Sequence, residues 1–161
     1  MKRVFVTLIA SILLIGGCAN KTKHTKSKFI KDFVSKYDAN KTIEVIKDNL
    51  SKKNYQLISI YNHTKDAINL KQMLYPTYTI AFNNPKISTT LLQCSPTMSV
   101  DLPLNIGVYN EINGKTHIIF TDSEYWSLKH NVSDKKCLKL LILIKQDLLD
   151  LADKIKVESK D

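Results

Sequence analysis

Two runs of alternating apolar residues, Leu104-Ile106-Val108 and Thr116-Ile118-Phe120, flank the dipeptide Asn113-Gly114. Period-two runs on either side of Asn-Gly are the strongest short-range signal for a β-hairpin. A hairpin pair is antiparallel. Strand-like and helix-like segments alternate elsewhere in the chain, so this one feature excludes a purely parallel doubly wound sheet. The expected fold is α+β: a single two-layer α/β sandwich with a mixed, largely antiparallel sheet.

The other elements follow from periodicity and caps. Phe29 to Tyr37 reads as a first strand. Asp38 or Asn40 offers an N-cap, and Ile43, Ile46 and Leu50 then recur at helical spacing to about Lys52. Tyr55 to Asn62 alternates, with both faces partly apolar. Thr64 is placed to cap a short helix with Ala67, Leu70 and Leu74 inward, ended by Pro76, and Thr77 to Phe82 is β-rich. Asn84-Pro85 combines a cap with Pro at the first helical position and opens a helix to about Cys94, with Ile87, Leu91 and Leu92 inward. Asp122 starts a helix through about His130. The last helix, about Ser133 to Val157, carries Cys137, Leu141, Ile144, Leu148, Leu151 and Ile155 at alternating four-three spacing. Leu138, Leu140, Ile142 and Leu143 make its first half apolar nearly all round, the pattern of a helix buried in its own domain or shared with a second copy of the chain.

The N-terminus reads as an address. Lys2 and Arg3 precede an apolar run from Val4 to Ile15, too short to span a bilayer and suited to a signal-peptide core. Ile15-Gly16-Gly17-Cys18 resembles a bacterial lipobox, which implies that Cys18 is lipid-modified and becomes the mature N-terminus, joined to membrane lipid. The expected division is a signal peptide over 1–17, a Lys-rich tether over 18–31 and one domain over 32–157. Ala19, not an acid, follows the Cys, which by resemblance to Gram-negative sorting permits the outer membrane. The expected location is the cell envelope, facing the periplasm or exterior. The formal charge of +9 falls to +7 without Lys2 and Arg3, and Lys21, Lys23, Lys26, Lys28 and Lys31 hold much of the excess. An excess concentrated in a leader beside a membrane argues against nucleic acid as a partner.

Several stretches together resemble the domain of unknown function 302 family. Ala81-Phe82-Asn83-Asn84-Pro85-Lys86 is similar to the family's Phe-Gly-Asn-Pro segment, with Asn83 where Gly is usual. Asp101-Leu102-Pro103-Leu104 leads into the hairpin. Thr121-Asp122 to Tyr125 and then Leu128-Lys129-His130 follow it, while His63 and Pro76 fit upstream. The likeness covers roughly 34–155. It implies a compact α/β fold, is compatible with a dimer, and brings no established activity.

No catalytic constellation emerges. Four Gly leave no phosphate-binding loop, there is no Gly-x-Ser-x-Gly elbow, and His24, His63, His117 and His130 lack the close spacing of metal ligands. His24 lies in the leader and His117 alternates outward on its strand. His63 and His130 stand at element ends, where a cleft shared with Asn84 and Asp101 would bind a small anionic ligand, Asn84 offering a helix N-terminus. The expected function is a membrane-anchored lipoprotein with a non-catalytic ligand- or partner-binding domain and no cofactor. The alternative is a metal-binding protein or enzyme with a His63/His130/Asp101 site. Cys94 and Cys137 either pair in an oxidising compartment or remain buried thiols.

Overall fold

A computed structural model describes residues 27–158; the signal-like segment, Cys18 and His24 lie outside the described residues. Five strands, β1 (Ile30–Val34), β2 (Gln56–Asn62), β3 (Thr77–Asn83), β4 (Leu104–Asn110) and β5 (Thr116–Thr121), form one sheet in the order β1-β5-β4-β3-β2. The helices are α1 (Ala39–Lys52), α2 (His63–Asn69), α3 (Pro85–Cys94), α4 (Ser123–Lys129) and α5 (Lys135–Ile155), with a 3₁₀ turn over Pro96–Val100. The α+β sandwich holds, but the expected mixture of strand directions does not: every strand pair is antiparallel. β2 and β3 are adjacent and antiparallel, joined by α2 and the seven residues 70–76. β3 therefore re-enters at the end where β2 left.

β1 and β2 are the two edges, and α1 joins them across the whole face. Its 14 residues span about 21 Å, close to the roughly 19 Å between the outer strands of a five-stranded sheet. The Asp38 carboxylate accepts from Lys41 N at 2.8 Å and starts α1. Asn84 Oδ1 accepts from Ile87 N at 3.3 Å and starts α3, and Asp134 Oδ1 accepts from Cys137 N at 3.0 Å and starts α5. The core lies between these helices and the sheet. Ile80, Phe82, Ile106, Val108 and Ile118 meet Ile46, Leu91, Leu141, Ile144 and Leu148, all buried. The core therefore absorbs most of α5's apolar stripe and leaves Ile142 and Leu143 exposed.

Two local expectations change, while the hairpin at Asn113-Gly114 holds. α2 is capped by Asn62 rather than Thr64, whose hydroxyl instead accepts from Thr77 N at 2.9 Å and donates to Tyr75 O at 3.1 Å. Only Ala67 of α2 is buried, while Leu70 and Leu74 are exposed; α2 lies against β3, outside the core formed by the other helices. The hairpin closes through a turn in which Gly114 N donates to Glu111 O at 2.9 Å, and Gly114 takes the left-handed φ of 82°.

Gly107 sits mid-strand in β4, opposite Ile119 of β5, on the face turned away from the helices. A Cβ there would stand 2.7 Å from Ile119 Cγ1, so the Ile119 side chain or the strand pair must shift to admit it. Gly107→Ala is expected to destabilise the domain by about 1–3 kcal/mol, read as a lowered urea midpoint. Adding Ile119→Ala should recover most of that loss relative to Ile119→Ala alone. An unchanged midpoint in the single variant would show that the close approach carries no constraint.

Candidate functional site

The residues expected to share one cleft are distributed over three places. His130, just past α4, is buried and has both ring nitrogens engaged: Nε2 lies 2.5 Å from Asp101 Oδ2 and Nδ1 2.9 Å from Thr97 Oγ1. Ser95 Oγ donates to the His130 carbonyl at 3.1 Å, and Lys129 Nζ reaches Asp101 at 2.9 Å. This network ties the end of α4 to the 3₁₀ turn and the loop into β4. Asp101 and His130 thus meet as expected.

His63 does not join them. Its Nε2 lies 2.9 Å from Thr79 Oγ1 and its ring packs edge-on against Tyr61. Thr79 alternates with the fully buried Ile80, so it faces the side of the sheet opposite the helices. The sheet thus stands between His63 and the pair Asp101–His130, and the three do not converge on one ion. Asn84 is also apart. It starts α3, whereas Ser95 and Thr97, the contacts of His130, follow the end of that ten-residue helix, about 15 Å away.

Cys94 and Cys137 are joined as a disulfide, tying the last residue of α3 to the first turn of α5 across a separation of 43 residues. Closing a loop of that length stabilises folding by about 4 kcal/mol in the chain-entropy treatment. Among the described residues, Cys94, Cys137 and Asp134 form the one group of three ligand-type side chains within reach of a single ion. Both sulfurs are consumed in the bond and Asp134 caps α5, so no thiolate is left to hold a metal.

Asn84 borders a cleft of about 530 Å³ where α1, α3 and α5 meet. Its polar rim includes Lys53, Lys86 and Lys136, and Ile87, Leu140 and Leu143 supply apolar lining. Lys53 is committed to Asp147 at 2.6 Å and Asp150 at 2.8 Å. Lys86 and Lys136 enter none of the ion pairs formed among the described residues. Tyr55 donates to Asp147 at 2.9 Å beneath this rim; burial first, then the Asp147 charge, pushes its phenol far above its ordinary value.

Sequence reasoning passed over His117. It does face away from the helices, but it is only 7 % exposed. Its Nδ1 lies 2.7 Å from Asp32 Oδ1, its Nε2 3.2 Å from Glu111 Oε1, and Tyr109 stacks on its ring at 4.8 Å between centroids. The alternation that put His117 outward carries no information on strand order, and it is β1 beside β5 that brings Asp32 to it.

The family described as "Domain of unknown function DUF302" matches residues 31–149. The crystal structure of an uncharacterised conserved DUF302 protein from Bacillus stearothermophilus is similar, with a TM-score of 0.72 over 81 % of this chain and 100 % of that chain. At 19 % identity that likeness shows the fold alone. A search among curated proteins finds no match.

Burial pushes the Asp101 carboxyl up, but hydrogen bonds from Lys129 and His130 outweigh it and hold the group below its ordinary value. Asp122 behaves alike: burial raises it, while Lys31, the Glu124 N–H and Lys145 outweigh that and hold it below its ordinary value. Both folded-state values thus lie below the unfolded value of about 3.9, so the unfolded chain takes up protons first as pH falls. Their contribution is complete above about pH 4 and is lost as pH falls through the folded-state values. Urea midpoints measured from about pH 6 to about pH 2 should fall less steeply for Asp101→Asn/Asp122→Asn than for the parent chain; parallel curves would refute the assignment.

Proposed function

Because the chain belongs to the DUF302 family, whose description assigns no activity, we propose its role from its own residues: a membrane-anchored bacterial lipoprotein whose domain binds a small anion with an apolar body, without catalysis. The cleft beside Asn84 is the observation that carries this reading. Lys86 and Lys136 offer positive charge that enters no ion pair among the described residues, the start of α3 adds the positive end of a helix dipole, and Ile87, Leu140 and Leu143 offer apolar surface. Its volume lies within the range of small-molecule sites. The address rests on Ile15-Gly16-Gly17-Cys18 in the sequence. The Cys94–Cys137 disulfide supports it, since such bonds persist in oxidising compartments outside the cytosol.

Octanoate, a carboxylate on an apolar chain, tests the cleft by calorimetric titration. We expect saturable binding that Lys86→Gln/Lys136→Gln weakens about tenfold or more, the loss of one or two charge-assisted contacts. Binding that is absent, or indifferent to the double variant, would refute the ligand assignment. Cys18→Ser tests the address separately: the variant should leave the membrane fraction, and its retention there would refute lipid anchoring.

A further inference from the structure

The acids of this fold that form ion pairs almost all face a lysine: Asp101 faces Lys129, Asp122 faces Lys31 and Lys145, and Asp147 faces Lys53. Asp32 and Glu111 are different. Among the described residues their one ionic partner is His117, set between them on the face of the sheet away from the helices. With a neutral imidazole this site holds two carboxylate charges against none, in a chain whose formal charge is +9. The phenol of Tyr109, stacked on His117, is raised first by burial and then by the charges of Asp32 and Glu111.

The two ring nitrogens of His117 are unequally served. Nδ1 is 2.7 Å from Asp32 Oδ1, so that carboxylate fixes the proton on Nδ1 and leaves the Nε2 lone pair free. Nε2 is buried and has no hydrogen-bond partner. Glu111 Oε1 lies 3.2 Å from it, but off the direction an N–H would take. That separation suits two atoms bound to one ion, since bonds of about 2.0–2.2 Å at angles of roughly 90–110° hold neighbouring ligand atoms about 3.0–3.4 Å apart. A carboxylate accepting from the far nitrogen is also the usual support of a metal-bound histidine.

We propose that His117 Nε2 and Glu111 Oε1 are ligands for a divalent first-row transition ion, with Asp32 holding the imidazole in the binding tautomer and water completing the coordination. Imidazole with carboxylate suits ions of the zinc class. Glu111 stands at the start of the hairpin turn with its side chain 40 % exposed; its Oε2 accepts from Asn113 Nδ2 at 2.8 Å, which leaves Oε1 on the His117 side for the ion. His130 is not an equivalent candidate because both of its nitrogens are already engaged.

The test uses the untagged full-length chain in detergent, titrated with Zn²⁺ by calorimetry and with Cu²⁺ by electron paramagnetic resonance. We expect one ion per chain and superhyperfine coupling to one nitrogen. Glu111→Gln should weaken Zn²⁺ binding at least tenfold, and Asp32→Asn, acting through the histidine, by about 10–100-fold. His117→Gln should abolish the nitrogen coupling, while His24→Gln should leave it intact. Should His117→Gln fail to fold, Glu111→Gln still decides, since it changes only an exposed carboxylate. No Zn²⁺ binding below millimolar concentration, binding indifferent to Glu111→Gln, or coupling lost with His24→Gln would each overturn the proposal.

Discussion

The helices that build the core cover one face of the sheet only, and most of the structure's particular features follow from that asymmetry. On the covered face, β3, β4 and β5 present residues such as Ile80, Ile106 and Ile118 to α1 and α5, all with essentially no exposure. Apolar area removed from water there supplies the main driving force. The opposite face must protect its own backbone without a second layer. It does so with side chains lying along the sheet: Ile119 over Gly107, and the Tyr109 ring stacked on His117. A buried histidine flanked by two acids is a product of this arrangement, because a one-sided sheet buries polar groups by stacking strand neighbours on one another.

What could be read in the sequence was whatever depends on neighbours a few residues away. Asn84-Pro85 and Asp122 announce helix starts because a cap works through the next three N–H groups. Cys137, Leu141, Ile144 and Leu148 reveal the buried stripe of α5 because helical periodicity is local. Burial in a strand is not local. The alternating residues of β2 look half-buried in sequence, yet Leu57, Ile58 and Tyr61 are exposed because β2 is an edge and carries a bulge between Leu57 and Ser59. His117 faces outward as its alternation implies, yet is buried for the mirror-image reason: the neighbours that cover it arrive from β1 and from the hairpin turn.

The same limit governs the site. Asp101 and His130 stand 29 positions apart and still meet, because the hairpin and α4 return the chain to the loop that precedes β4. Asn84 and His63 belong to segments resembling the same family, but the length of α3 and the thickness of the sheet separate them from that pair. Family-like motifs here mark positions that the fold needs. Asn84 caps, Asp101 is held by Lys129 and His130, and His130 bridges three segments, each role accounting for its residue without a ligand.

The contrast between His130 and His117 shows how hydrogen-bond completeness separates a structural histidine from one available for chemistry. A buried imidazole must satisfy two nitrogens, and leaving one unmet costs about 1–3 kcal/mol. His130 meets the requirement with Asp101 and Thr97, and a lysine balances the acid, so the network closes on itself. At His117, among the described residues, neither acid has a lysine and one nitrogen has no donor or acceptor aligned with it. Protonating the ring neutralises only one of the two carboxylates and still leaves the Nε2 proton misaligned. A dication bound at that nitrogen would balance both acids and use the lone pair, so it answers both deficits that a proton leaves.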